Sequence, residues 1–353
     1  MASERVDLIE GVHQVRALAP AWDTLADETA APSWLRPTWV EVWWRAFGRG
    51  KLQVFTVWRG ERLVGVVPMD RQGGELRSTT NFHTPSFGFL ALDDSSKETL
   101  ARALVDAAPR RLTLAFVPVE DGTVEAIEAA SGAARRPRVL RVLERCLFIE
   151  TDGSWETLIS SRRDRFLREM RRRRRKLGRH GRVEFEVHDG RSDLDRLLEE
   201  GFAVEAAGWK GNGGTAIASR PATLSFYTDL ARWLAARGAL RLSFLRLNGR
   251  AIAFDYAIEE CGRYALLKTG YDETFHSVGP GHELHWFTIE RAFKQGLKRF
   301  DFLGKDDRWK REWTSSMEVQ VQVQSFRLSP PALADWAAQR YLRPVARRLL
   351  KPV

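Results

Sequence analysis

The stretch Arg263–Trp313 reads RYALLKTGYDETFHSVGPGHELHWFTIERAFKQGLKRFDFLGKDDRWKREW, and it changes hydrophobic period twice. RYALLKTGY has the apolar, aromatic character of a strand. The Gly/Pro loop His276–Gly281 breaks it, a helical pattern runs from about His282 to Gln295, and RFDFLG returns to strand. Strand, loop, helix and strand in that order form a βαβ unit with its two strands side by side and parallel. In such sheets ligands sit beyond the carboxyl ends of the strands. Lys268, Thr269, Gly270, Tyr271 and Asp272 occupy one of those ends, and Asp301, Gly304, Lys305, Asp306 and Asp307 the other. Trp309, Lys310 and Trp313 follow at helical spacing on one face.

Upstream, LRLSFLRL, the turn Asn248-Gly249, AIAFDYAIEE and the turn Cys261-Gly262 make a three-stranded meander that ends in RYALLKTGY. Before it come strand-like RVEFEVH and helices at Ser192–Ala207 and Ala222–Ala236; after RFDFLG a short helix and EVQVQVQSF close the half. The N-terminal half has a similar plan. Val15, Leu18, Trp22 and Leu25, then Trp39, Val42, Trp43 and Phe47 after Pro37, mark two helices. LQVFTVW and RLVGVVPM form a hairpin about Gly60, with shorter strands near 75–80 and 87–92, helices near 97–107 and 123–130, and strands at 112–116 and 147–149. The expected class is α/β with mixed α+β sheets, as two units of one plan, at 1–150 and 151–329, followed by a basic amphipathic helix at 330–353.

The bulk numbers agree with two packed units. A chain of 353 residues, 44% hydrophobic and 29% charged with 13 Trp and 19 Phe, is long for one core and far from the disordered class. The N-terminus shows no basic segment followed by an apolar run, and no window reaches the roughly 18 apolar residues of a spanning helix. A cytoplasmic chain is expected, with the basic tail PPALADWAAQRYLRPVARRLLKPV either touching the inner membrane or docked on the second unit. Cys146 and Cys261 have no CxxC partner and no His nearby, so both are expected in the core, and no metal site is expected.

The net charge of +10 is local. Between Arg162 and Arg182, twelve Lys and Arg stand against Asp164 and Glu169, which accounts for the whole excess. Phe166, Met170 and Leu177 share one face of a helix there, and arginine covers the rest. Like charges four apart repel, so an anionic partner is expected: donor phosphates, a polyanion, an anionic membrane or tRNA.

Several residues suit acyl transfer. Gly279 and Gly281 precede a helix whose unpaired N–H groups and dipole favour an anion, although glycine and proline there also serve an ordinary turn. Asp255 lies mid-strand among apolar neighbours, where a carboxylate must be paired or act as a base; bonding to Lys268 or to backbone is the structural alternative. Tyr271 suits protonation of a leaving thiolate, or packing at the strand end. Lys268 and Lys310 suit donor phosphates or an anionic acceptor, or a plain surface. His285 is read as a core or capping residue. No GxSxG motif is present, which favours direct attack without a covalent enzyme intermediate.

The order of elements is similar to the GNAT acyltransferase fold. The phrases Trp209-Lys210-Gly211, Phe226-Tyr227, LNGRAIAFDYAI, YALLKTGYDETF, GPGHEL and GLKRFDFLGKDDRWKREW, with PSWLRPTWVEVWWRAFG and LVGVVPM upstream, resemble the CelD-type (cellulose-biosynthesis) acetyltransferases. That family resembles the Fem-type aminoacyltransferases, in which two GNAT-like units share one chain. The resemblance implies an acyl-CoA co-substrate whose pyrophosphate lies on Gly279, Pro280, Gly281 and His282 with Lys310 near, and a reacting carbonyl between the strands ending at Tyr271 and Asp301. It implies catalytic roles for Asp255, Tyr271 and Lys268, and acceptor contacts for Trp209, Asp301, Lys305, Asp306 and Trp313. The acceptor class implied is an amine or hydroxyl of a cell-envelope or exopolysaccharide precursor. Two other readings stand beside it: an aminoacyl-tRNA donor, and a non-catalytic basic module that binds a glycan synthase or nucleic acid. The chain departs from the usual Arg/Gln-x-x-Gly-x-Gly/Ala loop of coenzyme A-binding members.

Overall fold

Two-residue turns fix the centre of the C-terminal half. In a computed structural model, which describes residues 4–208, 214 and 216–342, Asn248 and Gly249 both take positive φ (51° and 81°), as do Cys261 and Gly262 (50° and 72°). Tight hairpins require that conformation, because its twist matches the flanking strands. Cys261, expected in the core, is therefore exposed at the tip of a turn, whereas Cys146 is buried.

The chain divides into two compact units, Met1–Arg145 with the segment from Glu318 onward, and Cys146–Met317. The first contains β1 (Glu4–Glu10), α1 (Gly11–Glu28), α2 (Pro37–Phe47), β2 (Lys51–Arg59), β3 (Arg62–Gln72), β4 (Glu75–Ser78), the short β5 (Leu90–Ala91), α3 (Asp94–Ala107), β6 (Arg111–Pro118), α4 (Thr123–Ala133) and the start of β7 (Arg138–Glu150). The second contains α5 (Trp155–Ser160), α6 (Asp164–Gly178), β8 (Val183–His188), α7 (Leu194–Ala206), α8 (Pro221–Ala236), β9 (Leu240–Leu247), β10 (Arg250–Glu260), β11 (Arg263–Tyr271), α9 (Pro280–Lys294) and β12 (Arg299–Asp301). After β12 the chain enters β13 (Met317–Phe326) and α10 (Pro330–Ala337).

Both units repeat one plan: strand, two helices, three-stranded meander, helix, parallel strand. In the first, β1, β2, β3 and β4 pair antiparallel in turn, and β4 pairs parallel with β6. In the second, β8, β9, β10 and β11 do the same, and β11 pairs parallel with β12. The last strand of each comes from the other half of the sequence: β13 pairs with β6, and the end of β7 pairs with β12. Unit boundaries thus fall near 145 and 318 instead of 150 and 329. The tail from Pro330 joins the first unit and not the second, because Asp335 bonds Arg111 (2.7 Å) and the Trp336 indole N–H donates to the Arg138 carbonyl. Its residues 343–353 and Trp209 lie outside the described set. Among the described residues, no helix is long and apolar enough to cross a membrane.

Burial on both sheet faces explains the continuous apolar strands. In the first unit Val15, Leu18, Trp22 and Leu25 of α1 pack on Val54 and Val66, while Leu100 and Leu104 of α3 and Ile127 of α4 pack with Val57, Val67 and Leu112. In the second, α6 and α9 contribute Phe166, Met170, Ile289 and Ala292 to a core with Ala257, Tyr264, Leu266 and Phe300. Phe254 and Tyr256 point the other way, to Phe202 of α7 and Tyr227 of α8. Gly270 lets α7 approach β11, since a Cβ there would fall 2.6 Å from the Glu205 Cα. Gly270→Ala should therefore cost about 1–3 kcal/mol in urea unfolding, because backbone and not a mobile side chain must shift.

Candidate active site

The site begins where β11 leaves β12. Their ladder joins Arg263 to Arg299, Tyr264 to Phe300 and Ala265 to Asp301 and then stops, while β11 runs on to Tyr271 against β10. From Leu266 to Tyr271 one edge of a central strand therefore has no strand partner among the described residues. β12 stops because Leu303 and Gly304 both adopt positive φ (51° and 58°), an uncommon conformation for leucine that turns the chain away. Lys310 holds that turn, its buried ammonium donating to the Leu303 and Lys305 carbonyls at 2.7 and 2.6 Å.

The start of α9 lies at the end of this open edge. Gly279 (φ 63°) is the N-cap and Pro280 takes the first helical position, where its lack of an N–H costs nothing. Both glycines leave room for neighbours: a Cβ on Gly279 would fall 2.9 Å from Arg173 Cδ, and one on Gly281 3.3 Å from the Tyr271 ring. The arginine helix α6 is thus laid against the turn. Arg174 donates to Glu283 Oε2 (3.0 Å) and stacks on Trp286, and Lys176 donates to the Ser277 carbonyl (3.4 Å). Guanidinium groups and a helix N-terminus bring positive potential to one place, the condition for holding phosphate.

One turn along α9, His285 reaches the middle of the sheet. Asp255 on β10 stands opposite Thr269 on β11 and Ser243 on β9, and it has no exposed surface. Among the described residues, neither of its carboxylate oxygens has a hydrogen-bond partner. His285 Nε2 lies 3.5 Å from Asp255 Oδ1 and 3.1 Å from the Thr269 hydroxyl. The imidazole is fixed by stacking on Trp309, with ring centres 4.5 Å apart and planes 11° from parallel. The Ser243 hydroxyl lies 3.5 Å from Tyr264 Oη, whose own titration is pushed up by burial and by the Asp255 charge. Lys268 does not pair with Asp255; its ammonium lies over the Tyr227 ring.

The other anticipated residues are distributed differently. Asp301 is held by Arg263 (3.0 Å) and Arg299 (2.6 Å), and burial still raises its pKa above the usual carboxylate value. Asp306 bonds Arg311, and Lys305 is exposed beside it. Trp313, anticipated at the acceptor, has no exposed surface and packs with Trp155, Phe166 and Trp286 in the core. The fold therefore brings together Asp255, Tyr271 and Gly279–His282, and adds His285, Thr269, Arg173 and Trp309. The sequence signal for His285 is its spacing: it falls three residues after His282 and four before Ile289, on one buried face of the helix.

Residues 164–311, from the first residue of α6 to just past Lys310, match the family model described as an acetyltransferase (GNAT) domain. The second unit is built around a GNAT-type acetyltransferase domain. No curated protein matches the chain. Solved structures similar in fold include FemX, at 13% identity and TM-score 0.59 over 93% of this chain and 99% of that one. The C-terminal domain of a protein described as a lysylphosphatidylglycerol synthetase from Agrobacterium fabrum is 13% identical with TM-score 0.56, over 91% of this chain and 96% of its own. L-PGS from Bacillus licheniformis is 11% identical with TM-score 0.50, over 85% and 95%. Because these likenesses extend over most of the chain, the fold they share includes both units. The GNAT-type domain contains every element of the site described above.

Burial gives the site a pH signature. His282, its Nδ1 unpartnered, is lowered from 6.5 to about 3, first by burial and then by Arg173 and His285. A histidine that resists protonation when folded but accepts it when unfolded stabilises the protein above about pH 6.5, and that contribution shrinks as pH falls toward 3. Glu283 beside it is raised by burial and acts in the opposite sense, adding stability as pH falls toward the ordinary carboxylate range. Between pH 7 and 5 the wild type should lose about 1–2 kcal/mol in guanidinium unfolding through this group, and His282→Gln should lose correspondingly less.

Proposed function

We propose that the protein transfers an acyl group from an acyl-CoA to an amine or hydroxyl by direct attack, with the second unit as the catalytic domain. The observation that carries this reading is the junction of three features within one helical turn: the unpartnered edge Leu266–Tyr271, the Gly279–His282 helix start flanked by Arg173, and the buried Asp255 with His285. In this reading the backbone of Gly279–His282 and the Arg173 guanidinium hold the donor's phosphates, and the strand edge accepts its amide-bearing arm through backbone hydrogen bonds. The donor supplies a thioester carbonyl. Asp255 and His285 provide the base that the acceptor needs, and Tyr271, packed on Gly281, lies where a leaving sulfur can be protonated. Lys310 acts on the seat through the Leu303–Lys305 turn. The resemblance to CelD-type proteins supports a glycan or cell-envelope precursor as acceptor, and a cytoplasmic site of action.

A second donor, aminoacyl-tRNA, is favoured by one feature. Arg165, Arg168, Arg172 and Arg175 form a row along the exposed face of α6, continued by Arg179 just past its end, opposite the docked Phe166, Met170 and Leu177; among the described residues, only Arg172 of these five has an acidic partner, Glu169. The same helix carries Arg173 of the donor seat, so α6 presents arginine both to Gly279 and, on its opposite face, to a phosphate backbone.

Calorimetry separates the donors. Acetyl-CoA should give saturable heat, weakened about tenfold or more by Arg173→Gln, since a charge-assisted phosphate contact is worth roughly 1.5–3 kcal/mol. Absence of heat with any acyl-CoA would overturn the first reading. In filter binding, replacing Arg165, Arg168, Arg175 and Arg179 by Gln should flatten the salt dependence of tRNA affinity by about 3 in log–log slope if the row holds RNA. A dependence of affinity on aminoacylation would establish tRNA as donor.

A further inference from the structure

Asp255 has no exposed surface, so no acceptor reaches its carboxylate directly. Both oxygens lack hydrogen bonds, and the groups that face them are His285 from α9, Thr269 from β11, and Ser243 and Tyr264 across the same sheet face. A bare carboxylate in such surroundings is costly unless a proton or a cation joins it. The adjacent titratable group within 3.5 Å is His285, and its Nε2 is also the atom that bonds the Thr269 hydroxyl. Thr269 alone of these is partly exposed, and it lies on the open edge of β11.

We infer that Thr269, His285 and Asp255 form a proton relay from the cleft into the sheet, in which Thr269 is the group that meets the acceptor. The inference rests on the acyl-transfer reading for its reaction, and on geometry for its path. As the acceptor nitrogen or oxygen bonds the thioester carbon, its proton moves to Thr269 Oγ while the Thr269 proton passes to His285 Nε2. The C–S bond then breaks, and the sulfur leaves with its electron pair and takes a proton from Tyr271, which regains one from water. His285 is now an imidazolium beside the Asp255 carboxylate, so the buried couple carries no net charge; its extra proton returns to water through Thr269 when product leaves. Loss of the unpaired buried charge at the moment of proton transfer is what drives the relay. Trp309 matters because stacking keeps the imidazole edge pointed at both partners. Asp255 is in this account a positioning and charge-balancing residue, and Thr269 and His285 are catalytic.

The test has two independent readouts. The first is thiol release from acetyl-CoA with hydroxylamine as surrogate acceptor. Thr269→Val and His285→Gln should each lower kcat by about 10²–10⁴-fold, the usual range for general-base loss, with acetyl-CoA affinity by calorimetry changed less than threefold. Thr269→Ser should restore most of the rate, and the Thr269→Val/His285→Gln double variant should be no slower than the worse single variant, as residues acting in one unit are non-additive. The second needs no turnover: in protein labelled with ¹⁵N-histidine, the His285 Nε2 resonance should shift in both Thr269→Val and Asp255→Asn. A Thr269→Val variant that keeps wild-type kcat, or a His285 resonance unmoved by either substitution, would overturn the relay. Failure of the wild type to bind acetyl-CoA while the His285 resonance responds as expected would count against the donor and not against the relay.

Discussion

A carboxylate without hydrogen bonds in the middle of a sheet is tolerated only if something nearby takes up its charge, and among the described residues His285 is the titratable base placed to do so for Asp255. Much of the second unit follows from that constraint. His285 must be delivered by a helix that starts at a fixed point, hence the Gly279 cap and Pro280. The helix must lie close to β11, hence Gly281 against Tyr271. It must also be held from outside, hence Arg174 bonded to Glu283. The same contacts bring Arg173 to the helix start, so the arrangement that fixes the base also assembles the donor seat.

The strand edge has an equally local cause. β12 pairs with β11 over three residues because Leu303 and Gly304 turn the chain away, and Lys310 spends its buried charge on keeping that turn. Parting the parallel pair at this point exposes backbone groups of a central strand while β12 stays covered by β7. The neighbouring polar residues then divide sharply. Asp301 and Asp306 are consumed by arginines, whereas Asp255 is left for chemistry.

The sequence was most readable where period and turn chemistry agree. The meander, its Asn248-Gly249 turn and the β11–loop–α9–β12 run follow from alternation, glycine and proline, and Asp255 stood out as a charge inside AFDYAI. Two kinds of information were beyond it. Pairing partners of strands cannot be read from one strand, so the exchange of β7 and β13 between units, and the N-terminal β1, went unseen. Residues at strand ends were read by type, and type does not reveal whether a neighbour has already claimed them. Asp301, Lys310 and Trp313 look like ligand contacts until Arg263, the Leu303 carbonyl and Trp286 are placed beside them. His285 was passed over for the converse reason: its importance comes from Thr269, Asp255 and Trp309, sixteen, thirty and twenty-four positions away.

The central claim is that one short region holds a donor's phosphates at Gly279–His282 and presents its acyl carbon to Thr269. A crystal structure of the full chain with a non-hydrolysable acetyl-CoA analogue tests this most directly. The account predicts pyrophosphate oxygens on the Gly281 N–H group and on Arg173, the pantetheine arm along the Leu266–Tyr271 edge, and the acyl carbon within reach of the Thr269 hydroxyl. An analogue bound with its phosphates away from Gly279, or with its acyl group far from Thr269 and His285, would contradict it.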